Sequence, residues 1–433
     1  MLAPGLSEAV SHPLAQDAFS DSEDAICDDS SATGYDTGER GPVSPASLLN
    51  RFPPGGTWEE EGEDRGDLFV RVEEPEKHVT AMETYITYQV ATQTTRQEFG
   101  GSDFTVRRRY QDFAWLHGKL EATHPTHIIP PLPEKQVMRG VLERFAAAFV
   151  ESRRRALHRF LSHLSRHPTL SFHPALQPFL TLPDLSEQRR TSGGLLGRVL
   201  GTPNWLVGST GSCGGVGTSQ VLGIRPKNTP VEFAVNATYL SSLAPKLTTL
   251  ERVAQRVTKE QIELATELGE LVPLYAAWWK LEGGDLGVCL HGLSGGLARC
   301  QAALLQVATA NEDGIIPSFH HHGLYTTAAQ AALRRRDALQ AELENKEEQL
   351  ATSPHNNQLV IAVESLSDSV TCADASLRAD WQRWRGQQRC ESRLALAGLA
   401  HSQLLYYQQC LSAWESLVPL LQEREQSEPS GEG

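Results

Sequence analysis

Between Leu240 and Leu421 apolar residues recur three and four positions apart, and this rhythm constrains the chain more than any other feature. Leu240, Leu243, Leu247, Leu250, Ala254 and Val257 set it; after a polar break at Gln261, Leu264, Leu268, Leu271, Tyr275 and Trp278 continue it. It returns from Leu286 to Val307, from Leu359 to Trp384 and from Leu404 to Leu421. Heptad spacing gives each helix one apolar seam, which must be buried against other helices. Gly283-Gly284-Asp285 and Ser353-Pro354-His355-Asn356-Asn357 interrupt the run, so it reads as three helices, the second over about 285–351 and the third over about 357–423. Each of those two could reach about 100 Å at ~1.5 Å per residue. Pro273 and Pro317 fall inside helical stretches, where a missing N–H and a ring clash bend the axis. Three long, bent helices cannot hide their seams in a compact monomer, which predicts a dimer.

The first half of the chain follows a different pattern. Residues 1–66 are rich in Ser, Gly, Pro and acid, a composition too poor in apolar surface to offset chain entropy, and predict a disordered tail. Residues 425–433 read as a second, short tail. Segments rich in β-formers follow at 68–72, 84–90 and 104–106, then helical spacing through Phe113, Leu116 and Leu120 and again from Leu142 to Leu164. Three strands followed by helices predict a small α+β domain over 67–183. Residues 184–226 form a Gly/Ser-rich linker in which Leu195, Leu196, Arg198, Val199 and Leu200 would suit a short amphipathic helix on a membrane, while the glycines favour coil. The all-α domain then spans 227–424.

Charge is unevenly spread. The whole chain carries −14, but residues 1–67 account for −12 and residues 104–166 carry +7. An acidic tail therefore masks a basic module. Seven cysteines show no C-x-x-C pair, which predicts free thiols in a reducing cytosol. No apolar run approaches the ~20 residues that span a bilayer, so membrane contact is expected to be peripheral.

Within the basic module Arg107-Arg108-Arg109-Tyr110-Gln111-Asp112-Phe113 is followed by Pro130-Pro131-Leu132-Pro133-Glu134-Lys135 and by Arg153-Arg154-Arg155. A planar guanidinium can bind two phosphate oxygens at once, so the grouping reads as a pocket for a phosphorylated ligand rather than a catalytic centre. Pro130-x-x-Pro133 also fits a ligand for SH3 domains, but its place between two basic elements favours a structural role. Other chemistry is weaker. His320-His321-His322 would point in different directions on a helix, with no Cys or second His at ligand spacing, and predicts a solvent-facing bend near Pro317 and no metal. The glycines around Cys213 lack the lysine of a phosphate loop. His117-Gly118-Lys119 begins like a phospholipase D signature, yet His124 stands where its Asp should be. Neither a kinase motif set nor a Gly-x-Ser-x-Gly elbow occurs, and no RNA-module signature accompanies the arginines. A non-enzyme without cofactor is the expectation.

The Arg-Arg-Tyr-Gln-Asp-Phe run, the Ile129-Pro130-Pro131-Leu132-Pro133-Glu134-Lys135 segment and Glu151-Ser152-Arg153 resemble the phox-homology (PX) domain. Arg335-Arg336-Asp337, Ala379-Asp380-Trp381-Gln382-Arg383-Trp384 and Tyr406-Tyr407-Gln408-Gln409-Cys410 resemble pieces of a BAR domain. Over about residues 67–424 the chain thus resembles the PX-BAR sorting nexins. The resemblance implies a site for phosphatidylinositol 3-phosphate in which Arg109 grips the 3-phosphate and Tyr110 packs on the inositol. Lys135 would meet the 1-phosphate and Arg153 the 4- and 5-hydroxyls. It places Val137 and Met138 in a membrane-dipping loop; the first residues of a buried helix is the other reading. Arg334, Arg335, Arg336, Lys346, Arg378, Arg383, Arg385 and Arg389 are the candidate membrane contacts of the BAR half, against a reading as solvated helix charges. Also implied are early endosomes, recycling and autophagy, and a BAR homodimer or a heterodimer with sorting nexin 4. The competing class is a soluble coiled-coil scaffold whose PX domain makes protein contacts.

Overall fold

The computed structural model describes residues 66–80, 83–135, 146–193 and 226–422; the acidic tail, Val137, Met138 and most of the predicted linker lie outside them. Strands β1 (Leu68–Val79), β2 (Thr84–Thr94) and β3 (Asp103–Arg109) form an antiparallel meander. Successive side chains alternate across a strand, so Leu68, Val70 and Val72 turn inward while Phe69 and Arg71 turn out. The register sets Val72 opposite Val90 and Val90 opposite Val106, a column of β-branched residues on the buried face. Pairing slips between Glu73 and Glu76, where Glu74 takes a φ of 40°, a bulge that turns the end of β1.

Helix α1 (Tyr110–Thr123) begins where β3 stops, and α2 (Ala147–Ser165), α3 (Leu176–Thr181) and α4 (Ser186–Gly193) complete the domain. Phe113, Leu116 and Leu120 of α1 and Leu157, Phe160 and Leu164 of α2 are each 0% exposed and close over the valine column. The α+β domain is the one the sequence predicts.

The second half consists of α5 (Val231–Glu282), α6 (Gly284–Ala310), α7 (Ile316–Thr352), α8 (Asn357–Glu415) and the short α9 (Val418–Gln422). Positive φ angles at Gly283 (62°) and Gly284 (54°) make the turn out of α5, a conformation that costs glycine little. Asn356 caps α8 by accepting the N–H groups of Gln358 and Leu359. Helices α6 and α7 are joined by one π-helical turn, Asn311–Ile315, so they form the single long rod expected. Pro317 follows directly, inside that continuous rod, where it has no N–H to give the π turn, so the π turn and the proline mark one irregularity.

Near the α+β domain the helices bury their apolar faces. Ile128, in the loop after α1, enters a cluster of Phe233, Leu240, Tyr325, Ala329, Leu333, Leu377 and Trp384. Farther along α5 the seam is open: Leu250, Val257, Leu264, Leu271 and Trp278 are 40–52% exposed. Leu404, Tyr407 and Leu411 of α8 are exposed as well. No described helix is long and apolar enough to cross a membrane.

Candidate phosphate-binding site

Arg-Arg-Arg occurs three times, and each time the fold sends its members in three directions. In β3 the alternation of a strand turns Arg108 inward, where it is 2% exposed. It donates to the carbonyls of Phe179 (2.8 Å), Leu182 and Pro183 (3.3 Å), acceptors left over at the end of α3. Burial pulls its pKa down to about 10, so it is still charged at neutral pH. Arg107 binds the bulge instead, donating to Thr87 Oγ1 (3.1 Å) and the Glu74 carbonyl (2.9 Å) and pairing with Glu76 (3.0 Å). Arg109 takes neither course. Its guanidinium lies 3.3 Å over the ring of Tyr85 and donates to the exposed Glu83 carboxylate at 2.6 Å.

The local sequence sets that position. Asp112 Oδ2 accepts the backbone N–H of Arg109 at 2.8 Å, as an acid at the third helical position does at a helix start. Strand thus ends and helix begins between Arg109 and Tyr110. Tyr110 donates its hydroxyl to the Pro133 carbonyl at 2.6 Å. Arg153, on α2, donates to the next carbonyl, Glu134, at 3.4 Å, with its guanidinium 4.8 Å from the Tyr110 ring and 4.4 Å from that of Phe149. Two consecutive carbonyls of the proline segment are therefore held, and the exposed Lys135 follows from a fixed backbone. Tyr110 and Arg153 thus meet at the proline segment that leads to Lys135, and Arg109 stands on Tyr85 and Glu83 at the strand–helix junction just before Tyr110. Sequence reading missed Glu83, from the β1–β2 turn, and Tyr85, from the start of β2 opposite His78; an aromatic in a β-rich stretch carries no signal of its own.

The second triplet divides by the 100° step of a helix. Arg153 faces Tyr110, Arg154 donates to the Val72 carbonyl at 2.6 Å, and Arg155 pairs with Asp313 of the π turn at 2.7 Å. In the third, Arg334 is exposed, while Arg335 reaches the α+β domain at Glu121 (2.9 Å) and the Pro125 carbonyl (3.3 Å). Arg336 is 1% exposed and pairs with Asp374 at 2.7 Å, so it clamps α7 to α8 and is no surface charge. Arg378 holds Glu232 at 2.6 Å, Arg383 holds Asp380, and Arg385 holds the Tyr239 hydroxyl. Among the helical candidates Arg334, Arg378, Arg383 and Arg389 are exposed, Arg378 and Arg383 while paired within the chain, and Lys346 is half-buried. The histidine run also departs from expectation: His321 and His322 are buried where α7 meets α2 and α8, because helix packing covers the face that sequence alone would leave to solvent.

Residues 96–183 match the PX domain family. Over 91% of its length the chain is 42% identical to sorting nexin-30 of Mus musculus, covering 86% of that protein. Over 87% it is 38% identical to sorting nexin-7 of Homo sapiens, covering 93% of it. The cryo-EM structure of the SNX-BAR Mvp1 tetramer shares the fold, with a TM-score of 0.58 at 17% identity over 81% of this chain and 99% of that one. A three-stranded PX sheet with a guanidinium at the end of β3, long helices behind it and these relatives lead to one conclusion: the chain belongs to the PX-BAR sorting nexin family.

Proposed function

We propose that this sorting nexin acts as a non-enzymatic, peripheral membrane adaptor that binds phosphatidylinositol 3-phosphate on early endosomes. Arg109 takes the 3-phosphate, Tyr110 the inositol face, Lys135 the 1-phosphate and Arg153 the 4- and 5-hydroxyls. The observation that carries this reading is Arg109 itself. It is stacked on Tyr85 and held through one oxygen of an exposed carboxylate, Glu83, which a more highly charged phosphate monoester, engaging the fork with two oxygens, can displace. Val137 and Met138, which follow Lys135 in sequence, are assigned to membrane contact. On the helical side the assignment falls first to Arg334, Lys346 and Arg389 and next to the exposed Arg378 and Arg383, while Arg335, Arg336 and Arg385 are committed to bonds within the chain.

The open seam of α5 supports a BAR dimer, as homodimer or with sorting nexin 4, that senses or stabilises curved, tubular membrane during endosomal sorting, recycling and autophagy. Dimerisation doubles the set of weak membrane contacts, each basic residue adding about 1 kcal/mol at an anionic surface. Liposome flotation with and without phosphatidylinositol 3-phosphate is the test. The unaltered chain should float only with the lipid present, and Arg109→Ala should not float. Equal flotation of Arg109→Ala would sink the pocket; flotation of neither, with the fold intact, would favour a scaffold that contacts proteins.

A further inference from the structure

Two clusters of histidine and carboxylate join the PX domain to the long helices, and in each, one ligand atom per residue lies within 4.8 Å of the others. They are wired differently. In the first, Asp380 of α8 accepts from His127 Nδ1 (2.9 Å), His167 Nε2 (3.0 Å), the Ile128 N–H (2.9 Å) and Arg383. His167 Nδ1 accepts the N–H groups of Thr169 (3.2 Å) and Leu170 (3.0 Å), so its proton resides on Nε2 and points at Asp380. Burial alone would raise the Asp380 pKa, but the hydrogen bonds from His127 and His167 outweigh it and hold the carboxyl well below the usual range. With its lone pair spent and Arg383 alongside, this cluster is a hydrogen-bonded lock and has nothing to give a cation.

The second cluster has something left over. His163 of α2 sets Nε2 3.0 Å from Glu391 Oε1 of α8 and Nδ1 2.9 Å from the Tyr325 hydroxyl. His321 of α7 stands edge-on to His163, ring centroids 5.3 Å apart, is 7% exposed, and its Nε2 has no hydrogen-bond partner. An unsatisfied buried nitrogen costs about 1–3 kcal/mol and calls for an explanation. Burial holds His321 neutral, which is the form a metal takes. Burial opposes the charge on Glu391, but His163, His322 and Arg159 outweigh that and keep it ionised.

We propose that His163, His321 and Glu391 form a three-ligand site for a divalent transition-metal ion of the zinc class, stapling the PX domain to α7 and α8. Two imidazoles and one carboxylate are a zinc-type donor set with a fourth position open. Tyr325 has the outer-shell place: with metal on Nε2 of His163, the ring donates its Nδ1–H to the tyrosine oxygen and is fixed in orientation. Arg159 is a nearby cation whose charge acts on both His321 and Glu391 and opposes the entry of a metal ion.

The full chain, stripped with a chelator, is titrated with zinc chloride by calorimetry and with cobalt(II) as a spectroscopic probe. The expected result is one equivalent per chain, with cobalt absorption of the tetrahedral type. Both should be lost in His321→Ala and in the isosteric Glu391→Gln. His321→Ala removes a buried ring packed on His163 and Tyr325, so it should melt lower than the unaltered chain in chelator and should, in addition, lose the zinc-dependent rise in Tm. Tyr325→Phe should weaken binding about ten- to hundredfold. Arg159→Met should tighten it several-fold, and the exposed His355→Ala should leave it unchanged. No zinc bound by the unaltered chain, or zinc bound equally by His321→Ala and Glu391→Gln, overturns the site.

Discussion

The PX domain closes its core within the chain, whereas the long helices leave theirs half-made. Phe113, Leu116, Leu157 and Phe160 are fully covered by residues of the same domain. Leu250, Val257, Leu264 and Leu271, equally apolar and equally regular in spacing, lie open along α5. A sheet packed under helices has two layers and can finish burial alone. A bent rod of helices has more apolar face than its own neighbours can reach. What is complete in one chain therefore recognises a small ligand, and what is incomplete is built to recruit a second chain.

The largest expected effect breaks that contrast at its open side. Leu264→Asp with Leu271→Asp should remove roughly 3–6 kcal/mol of dimer stability, from about 1.5–3 kcal/mol per buried leucine. Sedimentation at micromolar concentration should show monomer, with the melting of the PX domain unchanged; an unaltered dimer would mean that this seam is not the interface. The complementary substitution is Phe160→Ala, expected to cost the PX domain about 3–5 kcal/mol in denaturant unfolding while dimerisation persists. Within the PX domain, Arg109→Ala should weaken lipid binding about ten- to hundredfold, from ~1.5–3 kcal/mol for a charge-assisted contact, with little change in Tm. Arg108→Ala, by stranding the carbonyls at the end of α3, should do the reverse.

The smallest effect concerns pH. His158, His167 and His173 each spend Nδ1 on a backbone N–H, at 3.3, 3.0 and 3.0 Å for Val72, Leu170 and Ala175. Burial lowers the pKa of all three in the folded chain, so the unfolded chain takes up protons first as pH falls. Stability should be fully present above the unfolded value of ~6.5 and decline below it as pH falls toward the lowered folded values. Melting of the PX domain between pH 7.5 and 5.5 measures this. The apolar seam should show no such dependence, and a dimer constant that shifts in parallel would mean the two regions are coupled.

Much of this was legible beforehand where the cause is local. The 3-4 rhythm, the glycine and Asn356 breaks, the β-rich segments and the Arg-Tyr-Gln-Asp junction each act within a few residues, and the elements appear where they predict. Arg109 could be singled out, but not the distinct tasks of Arg107 and Arg108, since those depend on Glu74 and Phe179, 33 and 71 residues away. The histidine run could not be read at all. Its burial depends on α2 and α8, and the neighbouring lock pairs His127 with Asp380 across 253 positions.

By itself the sequence determined which segments are strand and helix, where Arg109 and Tyr110 stand at a strand–helix junction, and that the helices carry more apolar seam than one chain needs. Periodicity and capping are properties of neighbours along the chain, so they survive without a fold. The tertiary structure alone decided which arginines are clamps, which apolar face stays open, and which histidines meet a carboxylate. Those outcomes depend on side chains brought within about 3 Å from distant positions, where burial and one hydrogen-bond partner more or less change what a group can do.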